Sequence, residues 1–354
     1  MVKNGAKIQV RLVNKVIFNE IYDPLIKFEK IDVTGVRREC HGLQIAKNER
    51  TCMFCAQSYP DVKFSKIAHA VSESIGNKTL FNHFECDKCN FAFGQKLEDA
   101  FGKYIAPFKF VSQIKGKNGT ITIKDMPEDK ELSYKTYRLE RGSGSNSDKN
   151  YFPQDYIIEK SGRGIFRETE EGFAIEIPRN RYNPRLVYAA LLKMGYSLLP
   201  IDLWDEYAIG ITSLGLYVRN EPPFDNNTES EKYINGLPNK GILAQFPGIN
   251  PLNGVSAFLY QRNEKAPCEY IKLLFRLDFF NFSILIPIVS DRETQYSKFV
   301  IPAFQNNPSI SVIDFSKEEK IYTAYFSAEK IPIEKNMKET LVLELRERGL
   351  LKKP

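Results

Sequence analysis

The sequence of 354 residues lacks the features that mark membrane, secreted and repeat proteins. No apolar run approaches the ~20 residues that a membrane-spanning helix needs, and the mean hydropathy is −0.36. The segment 1–11 has no apolar core of the kind found in secretory signals. We therefore expect a cytoplasmic protein that has no membrane partner.

Tryptophan and histidine are scarce, with one and three residues, but apolar residues are plentiful. Hydrophobic residues make up 42% of the chain, charged residues 27% and aromatic residues 12%. This composition excludes wholesale disorder and collagen-like or coiled-coil architecture. The length predicts roughly two domains.

Positive charge is unevenly distributed along the chain. Residues 1–150 carry 25 Lys and Arg against 18 Asp and Glu, whereas residues 151–354 carry 25 against 26. The excess of +7 therefore lies in the first part, and a polyanionic partner is expected to bind there.

Most of the residues able to bind soft or borderline metals lie in one short region. Eight of the nine Cys and His residues fall within positions 40–89. They include two CxxC pairs, Cys52/Cys55 and Cys86/Cys89, whose four thiolates can close a tetrahedral structural zinc site. Two disulfides are the alternative, which the missing secretory signal disfavours. Cys40 and Cys268 are interpreted as ordinary thiols, with the adjacent pair Cys40 and His41 as an alternative metal-ligand pair.

The segment between the two pairs predicts a strand, a loop, a second strand and a helix. Residues 62–67 form a strand-like pattern that ends near His69, and a loop with a Gly-Asn turn follows at residues 72–79. Residues 80–85 can form the returning strand, and Asp87 is predicted as the N-cap of the helix.

This order of motifs resembles the HNH endonuclease family, in the subgroup with paired cysteines. The resemblance covers about residues 50–105. The matching motifs are Cys52-x-x-Cys55, His69-x-x-x-Glu73-x-x-Gly76-Asn77, Glu85-Cys-Asp-Lys-Cys-Asn90 and Phe93-x-x-x-Leu-Glu98. The fold that it implies is a small ββα-metal nuclease domain held by structural zinc.

The resemblance also implies a chemistry, namely hydrolysis of DNA phosphodiesters with one divalent metal, Mg²⁺ or Mn²⁺. His69 matches the general base that activates water, and Asn90 matches the helix residue that binds the metal. An imidazole suits the first role because it titrates near neutrality. An amide oxygen is a reasonable ligand for a hard cation.

The sequence departs from the family pattern next to the predicted base. Ala68 stands where a second metal ligand often precedes the His, and Ser72 replaces a frequent proline. Asn82 is a candidate for orienting the base, and His83 is a candidate replacement for the missing ligand. Two alternatives to an active nuclease follow, a zinc-stabilised nucleic-acid- or protein-binding module whose nuclease site has decayed, and a nuclease that a ligand or partner gates.

The remaining sequence predicts an α+β protein in which a larger domain with a mixed or antiparallel sheet follows the nuclease domain. The expected organisation is an N-terminal leader at 1–49 that packs on the nuclease domain, the nuclease domain at 50–105, a strand-rich connection at 106–182 and a C-terminal α+β domain at 183–354. A flexible linker is predicted near 141–150 and a closing helix at 335–348. Stand-alone HNH proteins resemble restriction or phage-defence effectors, so a regulatory protein or small-molecule signal is the expected partner of the C-terminal domain. The oligomeric state is left open.

Overall fold

A computed structural model describes the chain over a set of ranges with gaps between them. The described residues are 9–13, 15–33, 35–111, 115–116, 119–120, 122–125, 135–141, 156–158, 166–169, 172–219, 234–246, 254–290, 298–302 and 309–327. Most of the predicted linker and all of the predicted helix at 335–348 lie outside them. No helix in these ranges combines the length and the apolar character that crossing a membrane requires.

The described elements include both helices and strands, as the α+β prediction requires. The helices are α1 (Lys15–Ile21), α2 (Asp87–Phe93), α3 (Asp99–Val111), α4 (Pro184–Ser197) and α5 (Ala208–Arg219). Short 3₁₀ helices cover Lys47–Glu49, Glu73–Ile75 and Ile201–Tyr207, and a π-helical turn covers Gly94–Glu98. The strands are β1 (Gln9–Val13), β2 (Tyr22–Phe28), β3 (Arg38–Glu39), β4 (Ala68–His69), β5 (Leu80–Asn82), β6 (Lys115–Gly116), β7 (Gly119–Thr120), β8 (Thr122–Asp125), β9 (Lys135–Arg141), β10 (Tyr156–Ile158), β11 (Phe166–Thr169), β12 (Gly172–Pro178), β13 (Lys240–Gln245), β14 (Ser256–Arg262), β15 (Leu273–Phe279), β16 (Phe282–Ile288), β17 (Lys298–Pro302), β18 (Ser309–Asp314) and β19 (Ile321–Ser327).

Contacts divide the chain into two compact units. The first contains Met1–Gly102, Asn183–Phe246 and Leu252–Lys317, and the second contains Lys103–Tyr182, Pro247–Pro251 and Glu318–Pro354. The first unit thus joins most of the predicted nuclease segment with α4 and α5, which lie far along the sequence. The domain boundaries predicted from the sequence stay a prediction.

The first unit is built on a six-stranded antiparallel sheet in the order β18-β13-β16-β15-β14-β2. Its two central strands, β15 and β16, are buried along nearly their whole length, which explains their almost uninterrupted apolar sequences. The edge strand β2 comes from the predicted N-terminal leader, and Tyr22 at its start donates a hydrogen bond to the carbonyl of Ile271. The mixed or antiparallel sheet expected from the sequence is therefore confirmed as antiparallel.

Helix α4 packs on this sheet and is buried from Val187 to Ser197. Asn183 caps it by accepting hydrogen bonds from two backbone N–H groups, and Pro184 occupies the first turn. A Cβ at Gly195 would require the end of the Ile288 side chain to move and would press on Phe275, so glycine favours the close approach of the helix to the sheet.

The second unit contains a three-stranded antiparallel sheet in the order β11-β12-β19. Its buried Arg179 donates to the carbonyl of Tyr104 at 2.6 Å and lies 3.3 Å from a carboxylate oxygen of Glu319. The second unit also contains the antiparallel pair of β6 and β7.

The predicted strand-loop-strand-helix unit is present in residues 68–93, with two corrections at its ends. Strand β4 pairs antiparallel with β5, and β3 lies parallel to β5 on its other side. The first strand is only Ala68–His69, so the predicted extension over residues 62–67 is wrong. The helix cap is Cys86 and not Asp87, because the Cys86 sulfur accepts the hydrogen bond from the backbone N–H of Cys89.

Candidate functional site

The four cysteines of the CxxC pairs come together in one cluster. The sulfur atoms of Cys52, Cys55, Cys86 and Cys89 all lie within 4.8 Å of one another. The Sγ atoms of Cys55 and Cys86 are 3.8 Å apart. Sulfurs bound tetrahedrally at about 2.3 Å from a zinc ion would be separated by about 3.8 Å. The donor set and its spacing therefore fit a tetrahedral metal site, and none of the cysteines forms a disulfide.

Backbone N–H groups point at two sulfur atoms of this cluster, as is usual for thiolates that bind a metal. The N–H of Cys86 points at the sulfur of Cys52 at 3.4 Å, and the N–H of Cys89 points at the sulfur of Cys86 at 3.5 Å. The side-chain hydrogen bond with Cys52 lowers the pKa of Cys55 far below that of an ordinary thiol. The two backbone N–H groups stabilise negative charge on the sulfurs that they face, which a bound cation would neutralise.

His69 ends strand β4, where its backbone pairs with Phe81 of β5. Its ring is half-buried against the Phe81 ring, with 4.9 Å between the centroids. Burial lowers the pKa of His69 below 6.5, and the nearby charges of Glu73 and Glu98 oppose that shift. The imidazole is therefore neutral at pH 7, which is the form that accepts a proton from water.

A buried ion pair holds the backbone at His69, and sequence reasoning did not find it. Lys193 of α4 donates to the carbonyl oxygen of His69 at 2.6 Å, and its ammonium lies 2.9 Å from a carboxylate oxygen of Glu85. The exposed fraction of the side chain is 9% for Lys193 and 0% for Glu85. Burial raises the pKa of Glu85 to about 6, and the lysine opposes that shift. The signal in the sequence was a charged residue, Lys193, within the otherwise apolar run Val187–Met194.

Asn77 is a second residue whose role the motif did not reveal. Its buried amide donates to the carbonyls of Val71 and Leu80 at 2.7 and 2.8 Å. Its oxygen accepts from the backbone N–H groups of Thr79 and Leu80 at 3.2 and 3.0 Å. One side chain therefore closes the loop between β4 and β5, next to the left-handed Gly76, and fixes where the first strand ends.

Asn82 lies in the register position opposite Ala68, but its amide contacts other residues. The amide nitrogen lies 3.2 Å from Met53 Sδ and 3.3 Å from Ser197 Oγ, and the oxygen accepts from the N–H of Phe84 at 2.9 Å. None of the hydrogen bonds between described residues joins this side chain to His69.

His83 follows Asn82 and lies among charged residues other than those around His69. Burial lowers the pKa of His83, as do the nearby charges of Arg50 and His41, whereas Glu39 raises it. The residue is therefore grouped with the turn that follows β3.

Asn90 lies in helix α2, one residue after the cysteine ligand Cys89, and is half-buried. Its side chain makes no hydrogen bond with the described residues, so its amide oxygen is available to a ligand. Ala68 is buried and offers no donor atom. The carboxylates that act on His69 are Glu73 and Glu98. An amide oxygen suits a cation such as Mg²⁺, which keeps several waters and shares the substrate phosphate.

Comparisons with known proteins agree with the cysteine cluster and the ββα order. Residues 52–105 match the family model described as HNH endonuclease. No curated protein and no solved structure matches the chain. The match includes the four clustered cysteines, His69 and Asn90. Residues 52–105 of this chain are therefore a domain of the HNH endonuclease family, framed by a cysteine cluster that can bind a metal.

Proposed function

We propose that the chain is a metal-dependent HNH endonuclease that hydrolyses DNA phosphodiester bonds. The observation that carries this proposal is the match of residues 52–105 to the HNH endonuclease family, in which the half-buried imidazole of His69 lies at the end of β4. The basic excess in residues 1–150 supports a polyanionic substrate.

His69 acts as the general base in this proposal. Its neutral ring takes a proton from the attacking water, and the water oxygen then bonds to phosphorus as the bond to the leaving oxygen breaks. Glu73 and Glu98 stabilise the imidazolium that forms, since both act on His69 electrostatically. Lys193 is a positioning residue, because its hydrogen bond to the His69 carbonyl fixes the backbone that carries the base.

Cations near the base are suited to the DNA backbone. Arg37 is exposed, and its guanidinium carbon lies 5.5 Å from the centre of the Phe81 ring, which also contacts His69. A guanidinium at this position can donate to phosphate oxygens and position the strand.

Two metals belong to the proposal. Zinc fits the four-cysteine cluster and has a structural role there, because no ligand position is left open. Mg²⁺ or Mn²⁺ would be held by Asn90, and when bound it would stabilise the charge that develops on the phosphate and the leaving oxygen.

The second candidate is a zinc-stabilised binding module with a decayed nuclease site. It is favoured by Ala68, which removes a ligand position next to the base. This candidate predicts that the protein binds DNA and does not cut it.

The test is incubation of the full chain with supercoiled plasmid in Mg²⁺, Mn²⁺ or EDTA, beside His69→Ala and the exposed-site control Lys63→Ala. We expect wild type and Lys63→Ala to nick or linearise the plasmid, EDTA to stop them, and His69→Ala to be inactive. Equal cutting by wild type and His69→Ala would remove His69 from the reaction. DNA binding without cutting by any of the proteins would favour the decayed module. A single-stranded RNA substrate in parallel tests whether DNA is the preferred target.

A further inference from the structure

Three consecutive residues after β3 bring a carboxylate, a thiol and an imidazole together. Cys40 Sγ lies 3.3 Å from His41 Nδ1 and 3.6 Å from Glu39 Oε1, and His41 Nδ1 lies 2.9 Å from that same oxygen. All three side chains are buried, with an exposed fraction of 1% for the His41 side chain and 7% for that of Glu39. The region from 35 to 111, which the structure describes without a gap, thus contains a second group of metal-binding side chains.

The separations from the sulfur atom match the edges of a tetrahedron around a zinc ion. With zinc bonded to sulfur at about 2.3 Å and to nitrogen or oxygen at about 2.0–2.1 Å, neighbouring ligand atoms would lie about 3.3–3.6 Å apart. The sulfur–nitrogen and sulfur–oxygen separations of 3.3 and 3.6 Å are close to these values, whereas the 2.9 Å between His41 Nδ1 and Glu39 Oε1 is a hydrogen-bond distance that zinc would have to widen. The four-cysteine cluster meets the same geometric criterion.

The surroundings orient the ligands and exclude water. The other oxygen of Glu39 accepts from the backbone N–H groups of His41 and Leu43 at 2.7 and 3.1 Å. The ring of His41 makes edge contacts with Phe84 and Trp204, with centroids 5.3 and 5.2 Å apart. Such outer contacts fix ligand orientation in metal sites.

We propose that Glu39, Cys40 and His41 form a second zinc site, separate from the four-cysteine cluster. In the metal-free chain the Cys40 thiol donates to the carbonyl of Ser197 at 3.0 Å. Zinc binding replaces the thiol proton, which goes to solvent. The site does not depend on nuclease activity, so it stands or fails independently of the proposed function.

The first test is metal stoichiometry of the full chain, dialysed against micromolar ZnSO₄ and freed of unbound metal. We expect about two zinc ions per chain for wild type, since the two clusters offer one tetrahedral site each. Cys40→Ser should hold about one, and Cys268→Ser, which changes an exposed thiol, should keep about two. One zinc in both wild type and Cys40→Ser would overturn the proposal.

X-ray absorption at the zinc edge on wild type tests the same proposal without a variant. Two filled sites predict an average of about 2.5 sulfur ligands per zinc, whereas the cysteine cluster by itself predicts about four. An average of four sulfurs would overturn the proposal even if Cys40→Ser failed to fold.

Fluorescence gives a local readout because Trp204 is the single tryptophan of the chain. Loading with Co²⁺ in place of zinc should quench Trp204, whose ring centroid lies 5.2 Å from that of His41. His41→Gln should abolish that quenching and should leave the cobalt–thiolate absorption of the four-cysteine cluster. Fluorescence that does not respond to Co²⁺ in wild type would contradict a metal at His41.

Discussion

The ammonium of Lys193 and the carboxylate of Glu85 lie 2.9 Å apart and are both buried, although 108 positions separate them in the sequence. Removing one partner would leave the other as an uncompensated charge in the interior. We therefore expect Lys193→Met to destabilise the protein by about 3–5 kcal/mol. The double variant Lys193→Met/Glu85→Gln should recover much of that loss, because no buried charge remains. Urea unfolding of the single and double variants measures the coupling, and additive losses would show that the two side chains do not interact.

The pH dependence of cutting should report the shifted pKa of His69. Burial lowers that pKa below 6.5, so the base stays neutral through pH 7 and the rate should be flat there. On the acid side the rate should fall as the ring gains a proton. The profile of kcat/KM between pH 5 and 8 measures this fall in rate. A rate that still changes with pH above pH 7 would contradict the assignment of His69 as the base.

The acid limb of this profile is the part in which the rate falls as His69 gains a proton. Removing one or the other of two exposed charges should move this limb in opposite directions. Glu73→Gln removes a negative charge that favours the imidazolium, so the limb should shift to lower pH. Arg37→Gln removes a positive charge that disfavours it, so the limb should shift to higher pH. The position of the limb is the quantity to compare, since Arg37 is also proposed to contact phosphate. Shifts of the same sign would exclude His69 as the titrating group.

The loop between β4 and β5 should depend on the amide of Asn77. Asn77→Asp keeps the shape of the side chain and replaces its two buried N–H donors with an acceptor that faces two carbonyls. We expect a loss of about 3 kcal/mol or more in unfolding free energy. Asn48→Asp, at an exposed position, should change stability by less than about 0.5 kcal/mol. Thermal melts of both variants decide this, and equal melting temperatures would contradict the role given to Asn77.

Helix α5 approaches the first cysteine pair closely at Gly215. A Cβ on that residue would collide with the backbone carbonyl of Phe54, between Cys52 and Cys55. Gly215→Ala should therefore destabilise the protein by about 1–3 kcal/mol and weaken metal retention by the cluster. Gly102→Ala has open space around it and should be neutral or stabilise by about 0.5–1 kcal/mol. Metal release during thermal unfolding compares the two variants.

Local patterns in the sequence predicted the strands and the helix around His69 and the cysteine cluster. They did not predict the long-range contacts that stabilise this region. The CxxC spacing and the order of strand, loop, strand and helix are properties of neighbouring residues, and the structure contains them. The pairing of Lys193 with Glu85, by contrast, joins two segments that are remote in sequence. No periodicity or motif encodes such a contact.

The corrections have local physical reasons. The sequence favoured Asp87 as the cap, but a sulfur atom of the cluster takes that position. The Asp87 carboxylate instead accepts from the backbone N–H groups of Ser65 and Lys66 at 3.2 and 2.8 Å. Those bonds hold residues 65–66 outside a strand ladder, so the apolar alternation before His69 does not become a strand. At the turn after β3 the sequence offered only Cys40 and His41 as an alternative metal-ligand pair, because adjacency does not reveal that the Glu39 carboxylate converges with them.

Helix α4 lies outside the segment that matches the HNH family, yet one of its side chains touches the backbone of the predicted base. An excised fragment of residues 52–105 would keep the buried Glu85 and lose its counter-charge. It would also lose α5, whose Gly215 packs against Phe54. We therefore expect that residues 52–105 do not fold stably when they are fused to another protein. A minimal fragment must also include α4 and α5.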